Sequence, residues 1–444
     1  MILGFYGDDF TGSTDALEQV ALAGWKARLF MRLPDPAALD ECRGFDAVGI
    51  AGISRSLPTE AMEDELRPAF AILRGLSPGF IHYKVCSTFD SSPETGSIGK
   101  AIQIGRKTFP NAWIPVLVGA PALGRYCVFG NLFARMGTGG TGEIHRLDRH
   151  PSMRSHPVTP ATESDLRLHL AHQISHRTGL IDVLDLERPV AEIIRKIDSL
   201  TQNGFGTILF DALHDDHVRK VGEVLAAAAA ENQPLFSVGS SSVERALVSA
   251  APKRNFDALE AEKPAAPLLV LCGSRSPVTA AQIRHARDTG FALHALDVPR
   301  LLDPAERDNA IRGSVRAAID SIAKGKNVIL HTDALGEAVP GAQDSARVLG
   351  AALGQCADAV LRNTATGRVV IAGGDTSGHA ARALGIDAVD VAARFRAGAP
   401  LCLARSKNPH IHGTEVIFKG GQVGDDRFFS TAAGIDSRPV IFVK

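Results

Sequence analysis

The stretch GDDFTGSTD at residues 7–15 sets two carboxylates, Asp8 and Asp9, side by side directly after the apolar run MILGFYG, with Thr11, Gly12 and Ser13 close behind. One aspartate or serine there would cap a helix, because its oxygen accepts hydrogen bonds from the free N–H groups of the first turn. A cap accounts poorly for two adjacent acids. Carboxylates in that place bind sugar hydroxyls or act as a general base, and Asp9 is the preferred base. A second cluster, KVCSTFDSSPETGSIG, offers Lys84 with Ser87, Thr88, Asp90, Ser91 and Ser92. It reads either as a solvated turn or as a binding loop, and its position after the apolar run GFIHY favours the loop.

Arg55 in SRS, Arg125 in PALGRY and His156 in SHP form a third set. The planar fork of arginine suits bidentate capture of a carboxylate, although an isolated arginine is usually only surface. His169, His172 and His176 share about one helical face. They lack a carboxylate or cysteine pattern and read as a solvated face rather than a metal site.

Toward the carboxy terminus, PLLVLCG runs into GSRSP and GRVVIAGG runs into GGDTSGHAARAL. Each is a strand, a small-residue turn and a helix start, where backbone N–H groups and the helix dipole hold phosphate. The residues concerned are Gly273 and Ser274, then Gly373, Gly374, Asp375 and Thr376, with Gly421 in the late loop KGGQVG. No GxxxxGK[ST] sequence occurs, so this is not a Walker A loop.

Positioning these groups requires strands whose ends carry loops. Short β-branched runs such as MILGFYG, DAVGIAGIS, GFIHYK, WIPVLVGA and FGTILFDA alternate with segments of helical spacing such as TEAMEDELRPAFAILRG. That alternation predicts βαβ units and mostly parallel sheets, with functional loops at the carboxyl ends of the strands. The composition shifts at APKRNFDALEAEKPAAP, which places a linker at 251–266 between a domain at 1–250 and another at 267–444. The expected fold is α/β: two α/β lobes, each with a mostly parallel sheet flanked by helices, and an active site in the interdomain cleft. Residues 119–162, dense in Gly, Pro, Arg and His, read as a long functional loop.

Bulk properties exclude some classes. The 444 residues carry 48 Lys plus Arg against 49 Asp plus Glu, so no global field points to nucleic acid or an anionic membrane. The six cysteines are scattered without a CxxC pair, which suits a reducing, cytoplasmic setting. No signal peptide and no apolar run of about 18 residues is found.

With these residues in order, the sequence resembles the four-carbon acid sugar kinase family, whose activities include 3-oxo-tetronate, D-threonate and D-erythronate kinases. The family's opening Asp-Asp-x-Thr-Gly motif is matched by Asp8, Asp9, Thr11 and Gly12, and its Lys-x-x-Ser-Thr segment by Lys84, Ser87 and Thr88. The Gly-Ser turn, the Gly-Gly-Asp/Glu-Thr turn and the late glycine-rich loop fall on Gly273 and Ser274, on Gly373 to Thr376, and on Gly421. The resemblance implies an amino-terminal domain for the sugar acid and a carboxy-terminal domain for ATP with Mg2+.

It further implies that Asp9 or Asp8 orients or deprotonates the attacking hydroxyl while Lys84 offsets charge. Thr11, Gly12, Ser87, Thr88 and His156 then line the substrate, Arg55 and Arg125 hold its carboxylate, and Asp375 lies near the metal. Partners beyond the sugar acid and ATP are not expected, nucleic acid and membrane least of all; a homo-oligomer is allowed. One segment departs from the family: many members read Lys-x-Asp-Ser-Thr-Leu-Arg-Gly-Asn, whereas this chain has Cys86 before the Ser-Thr pair and Phe-Asp-Ser-Ser-Pro after it. Because that segment should face substrate, the departure predicts a different sugar acid, and the resemblance to related kinases of the superfamily offers a branched 3-oxo acid such as 3-oxo-isoapionate as one candidate.

Two other classes compete. A sugar-acid sensor of the same fold would bind ligand without ATP turnover. An NAD-dependent enzyme needs GxGxxG after its first strand, and GFYGDDFTG has the wrong spacing. The spacings by themselves reach only a two-lobed α/β enzyme that binds a phosphorylated ligand.

Overall fold

The computed structural model describes residues 1–136, 142–156, 158–229, 233–252, 254, 261–274, 276–332, 342–421 and 423–436. The chain divides into two compact units, one of Met1–Arg28 with Asp35–Phe256 and the other of Leu29–Pro34 with Asp257–Lys444. The expected linker 251–266 falls partly outside the described residues.

The strands of the first unit are, in chain order, β1 (Leu3–Gly7), β2 (Ala27–Phe30, whose last two residues belong to the second unit), β3 (Ala47–Ala51), β4 (Phe80–Lys84), β5 (Ile114–Leu117), β6 (Arg125–Val128), β7 (Asn131–Arg135), β8 (Ile144–Arg146), β9 (Arg177–Ile181), β10 (Phe205–Phe210) and β11 (Leu235–Gly239). Seven of them form a parallel sheet in the order β3-β1-β4-β11-β5-β10-β9. Every residue of β1, β3, β5 and β11 is buried, as expected for strands covered on both faces. Helices such as Phe10–Leu22, Met62–Gly75 and Ile98–Thr108 make the crossovers. Strand β1 lies between β3 and β4, so the chain leaves it in opposite directions, and such a switch point opens a crevice at the carboxyl edge.

Residues 119–162, read from sequence as structureless, instead hold a three-stranded antiparallel sheet, β6-β7-β8. The strands are only three to five residues long and carry arginine and aromatic side chains rather than an apolar run, which hid them. They are tied to the main body: Cys127 bridges Ala212, and buried Asp211 accepts from the N–H groups of Phe129 and Gly130 at the hairpin turn.

The core of the first unit is aromatic. Tyr6 and Tyr83 stack at 5.9 Å, and Phe70 meets both edge-on at 6.3 Å while contacting Phe236 at 5.5 Å. Phe70 is fully buried, so truncating it opens a cavity. Phe70→Ala is expected to cost about 3–5 kcal/mol in urea unfolding of the full chain; a cost below about 1 kcal/mol would show that this cluster does not hold the unit together.

The second unit contains β12 (Leu269–Cys272), β13 (Ala292–Ala295), β14 (Val328–His331), β15 (Arg368–Ala372), β16 (Ala388–Arg396), β17 (Ala399–Arg405) and β18 (Glu415–Lys419), in the order β13-β14-β12-β15-β18-β17-β16. The first five in that order are parallel and the last two antiparallel. The sequence boundaries assigned all of 1–250 to one domain, but Leu29 and Phe30 pair with Val389 and Ala388 of β16 and group with this unit. Arg382 fixes the exchanged segment by donating to the Met31 carbonyl at 2.7 Å.

Candidate active site

The carboxyl edge of the first sheet collects the charged groups. Asp8 follows β1 and is 2 % exposed. Asp9 is the N-cap of the helix Phe10–Leu22, its Oδ1 accepting from the Gly12 N–H at 2.8 Å. Arg55, in the turn beyond β3, clamps both acids: Nε and Nη2 donate to the two oxygens of Asp8 at 3.0 and 2.6 Å, and Nη1 donates to Oδ2 of Asp9 at 2.7 Å. The capping reading is therefore right for Asp9 and incomplete. Burial pushes the Asp8 carboxyl up to about 6; Arg55 opposes this and the charge of Asp9 adds to it.

Lys84 closes β4 with its ammonium buried, donating to the Val85 carbonyl at 2.9 Å. A Cβ on Gly12 would lie 2.5 Å from Oδ1 of Asp9 and 2.8 Å from Nζ of Lys84, so only glycine lets the helix start approach the lysine. Lys84 also faces Asp15, which takes a hydrogen bond from Ser241; burial raises the Asp15 carboxyl and the Lys84 charge opposes it. Beneath them His82, fully buried, has Nδ1 2.5 Å from Glu244 and Nε2 3.2 Å from the Gly239 carbonyl. Both partners are acceptors, so either the ring carries two protons or Glu244 holds one.

The next loop joins the cluster through Cys86. Burial raises its thiol, so it stays protonated beside Arg55 and Arg125. Its Sγ lies 2.8 Å from Oγ1 of Thr88. Arg125 opens β6 and belongs to this neighbourhood. The hydroxyl of Ser87 makes no hydrogen bond with the described residues. His156 uses Nδ1 to accept from the N–H of Thr159 at 3.0 Å and has no contact with the cluster.

In the second unit three strand ends converge. Gly273 donates to the Ala372 carbonyl and Gly373 to the Lys419 carbonyl, which aligns the ends of β12, β15 and β18. A Cβ on Gly373 (φ +155°) would fall 2.2 Å from Oγ1 of Thr376, and one on Gly421 would fall 2.9 Å from Oγ of Ser274. Helix N-termini open here at Ser276, which caps Pro277–Asp288, and at Gly374, which precedes Asp375–Leu384. The side chain of Asp375 lies outside the described residues. Gln282 donates to the carbonyls of Val423, Gly424 and Asp425, holding the late loop in place. Two helix starts, whose first-turn N–H groups have no partner within the helix, open at this corner and suit a polyphosphate.

Residues 3–247 match the family described as the sugar-binding N-terminal domain, and residues 269–429 match the nucleotide-binding C-terminal domain. The chain is 42 % identical to the 3-oxo-isoapionate kinase of Paraburkholderia graminis, over 97 % of this chain and 93 % of that protein. The chain belongs to the four-carbon acid sugar kinase family. It is 30 % identical to the 3-oxo-tetronate kinase of Methylobacterium radiotolerans, over 97 % of this chain and 98 % of that one. A Salmonella typhimurium LT2 crystal structure described as a putative tRNA synthase superposes with a TM-score of 0.78 at 25 % identity, over 97 % and 98 % of the two chains. As a member of this family the protein is a kinase that acts on small sugar acids.

For a sugar-acid kinase, the sequence nominations divide clearly. Asp8, Asp9, Thr11, Gly12, Arg55, Lys84, Ser87 and Thr88 gather on strand ends, turns and a helix start at the carboxyl edge of the first sheet, with Arg125 near them at the start of β6, and Gly273, Ser274, Gly373, Gly374, Thr376 and Gly421 gather in the second unit. Arg55, nominated to hold substrate, has three N–H groups committed to Asp8 and Asp9, because a buried carboxylate beside a half-buried one needs a cation. The solvated histidine face is corrected too: Nε2 of His169 contacts Ser91 at 2.8 Å and Gln173 at 3.0 Å, and His176 bonds Thr207 at 2.7 Å. The helix there ends at Ala171, before His172 and His176.

Two other features stand apart. A groove of about 710 Å3 on the small sheet, lined by Tyr126, Phe129, Phe133, Ile144 and Leu213 among others, contains none of the nominated residues, and its apolar walls do not suit a sugar acid. Glu187, His214 and His217 have metal-ligand chemistry. Nδ1 of His217 accepts from the Leu213 N–H, so Nε2 keeps its proton and donates it to Glu187 at 3.1 Å, which occupies the atom a metal would use.

Sequence reading missed Lys419. Its buried Nζ donates to Oγ1 of Thr279 at 3.0 Å and to the Gly420 carbonyl at 2.9 Å, directly under the late loop. Burial pushes the ammonium down to about 8. The available signal was position: EVIFK ends a parallel strand as FIHYK does. A cation beneath a phosphate-binding corner is lost as pH rises through its pKa, so the Kd for ATP is expected to weaken between pH 7 and 9 with a midpoint near 8. Titration calorimetry showing a flat Kd across that range would separate Lys419 from nucleotide binding.

Proposed function

We propose that this kinase transfers the γ-phosphoryl group of ATP to a hydroxyl of a branched 3-oxo sugar acid, with 3-oxo-isoapionate as the first candidate. The observation that carries this is the 42 % identity to the 3-oxo-isoapionate kinase, against 30 % or less for the 3-oxo-tetronate kinases over the same length. The departure at Cys86 and Phe89 to Pro93, in the loop beside Lys84, supports a changed acid.

In the proposed reaction the substrate oxygen bonds to the γ-phosphorus as the bond to the β–γ bridging oxygen breaks, and ADP leaves. Asp9 orients the hydroxyl and takes its proton; its side chain keeps 20 % of its surface, against 3 % for Asp8. Asp8 and Arg55 hold Asp9 in place. Arg125 takes the substrate carboxylate, Lys84 offsets the accumulated negative charge, and Thr11, Gly12, Ser87 and Thr88 border the substrate. The contacts of His156 give it no such place. Ser274, Gly374, Thr376 and Gly421 cradle ATP through backbone and hydroxyl groups, while Gly273 and Gly373, whose N–H groups bond the Ala372 and Lys419 carbonyls, shape the turns that let the phosphates approach.

Mg2+ is proposed to enter with ATP, where it neutralises phosphate charge. Ser274, Thr376, Ser377 and Lys419 bring no carboxylate to the corner, which fits a cation held mainly by phosphate oxygens and water, with Asp375 as the acid nominated from the sequence.

ADP release measured against D-threonate, D-erythronate, their 3-oxo forms and 3-oxo-isoapionate tests the substrate, with the highest kcat/KM expected for the branched acid. Binding of an acid without turnover would make the protein a sensor instead. Asp9→Asn keeps the cap, since asparagine caps as well as aspartate. It is expected to leave the melting temperature nearly unchanged and to lower kcat by roughly a hundredfold or more; near-normal kcat would remove Asp9 from the chemistry. With the clamped acid pair required as carboxylates, kcat/KM is expected to fall as pH drops through about 6, where Asp8 gains a proton. An acid limb that stays below pH 5 would detach Asp8 from turnover.

A further inference from the structure

Two buried polar atoms beside the acid cluster have no hydrogen-bond partner among the described residues: Nε of Arg125 and Oδ1 of Asp90. An unmade buried hydrogen bond leaves the desolvation of its group uncompensated, so two of opposite sense in one neighbourhood call for an account. Arg125 is held in place: its Nη1 donates to the carbonyls of Leu123, Gly124 and Arg135 at 3.0, 3.3 and 3.2 Å. The Asp90 carboxylate acts on it electrostatically, opposing the burial that lowers the guanidinium, yet makes no hydrogen bond to it.

The loop bearing Asp90 is also fixed. Phe89 has φ +58°, a left-handed conformation that is strained in a residue with a side chain. Its ring is 2 % exposed and lies 5.8 Å from that of His169, whose Nε2 meets Ser91 on the other side of Asp90. Strain kept in a locked turn marks a side chain that is being aimed.

We propose that Asp90 is a specificity-determining residue: while Arg125 holds the carboxylate of the sugar acid, Oδ1 of Asp90 accepts from a hydroxyl of the same molecule. This rests on the sugar-acid kinase reading. The site would then select a polyhydroxy acid over its counterpart lacking that hydroxyl, because the counterpart leaves a buried carboxylate oxygen unpaired.

The test compares wild type with Asp90→Ala on the preferred acid and on its mono-deoxy analogues, reading kcat/KM for each and Kd by calorimetry without ATP. Wild type is expected to favour the hydroxylated acid over one deoxy analogue by at least about tenfold, and Asp90→Ala to shrink that ratio to within about threefold, chiefly through KM. Asp90→Asn, which keeps an acceptor oxygen, should recover part of the preference. A general structural loss would lower both rates and leave the ratio unchanged, so an unchanged ratio overturns the assignment while the kinase reading stands. Binding without turnover sinks the kinase reading but still allows the Kd ratio to decide on Asp90; binding of no acid at all overturns both.

Discussion

The arrangement of the first unit depends on one ion cluster: Asp8 and Asp9 held by Arg55. Two adjacent carboxylates at the buried end of a parallel strand repel each other and lose water, and without a cation one of them would have to take up a proton. The bidentate fork of Arg55 answers both costs and fixes the geometry, which a lysine would not do. It also joins three pieces of chain, the end of β1, the start of the following helix and the turn after β3. The helix start in turn brings Gly12 against Lys84, and the loop after Lys84 carries Cys86 and Asp90 to Arg125.

The two units repeat one device. Each ends a central parallel strand on a buried lysine, Lys84 of β4 and Lys419 of β18, whose ammonium donates to the carbonyl of the next residue. A lysine in that position supplies positive charge to the carboxyl edge of the sheet, where loops turn outward and anions bind. Neighbours set the difference between them. Lys84 faces the carboxylates of Asp15 and, more distantly, Asp8. Lys419 lies among a hydroxyl, carbonyls and the Phe428 ring at 5.7 Å, and burial without an anion lowers its pKa.

Much of this was legible in the residues. The apolar runs ending at Gly7, Lys84, Cys272 and Ala372 are strands because buried parallel strands are written as continuous β-branched and aromatic stretches. The small-residue turns after them, read as phosphate sites, do converge. Strands β6 to β8 were not legible, since short strands anchored by Asp211 and a Cys127 bridge carry no period of their own. The hydrogen bonding of half-buried His169 was not legible either, because its partner Ser91 lies 78 residues away in the chain.

The sequence alone determined the α/β alternation, the carboxyl-edge location of the acid pair and the glycine turns, and the family, because hydrophobic period and local motif are properties of adjacent residues. Only the tertiary structure decided which charges meet. It gave Arg55 to the aspartates rather than to a ligand, placed Lys419 beneath the late loop, passed Leu29–Pro34 to the second unit and left Asp90 and Arg125 with atoms unpaired among the described residues. Those outcomes depend on distances between residues far apart in the chain, and electrostatic and hydrogen-bond energies are fixed by such distances and by burial, neither of which a linear order specifies.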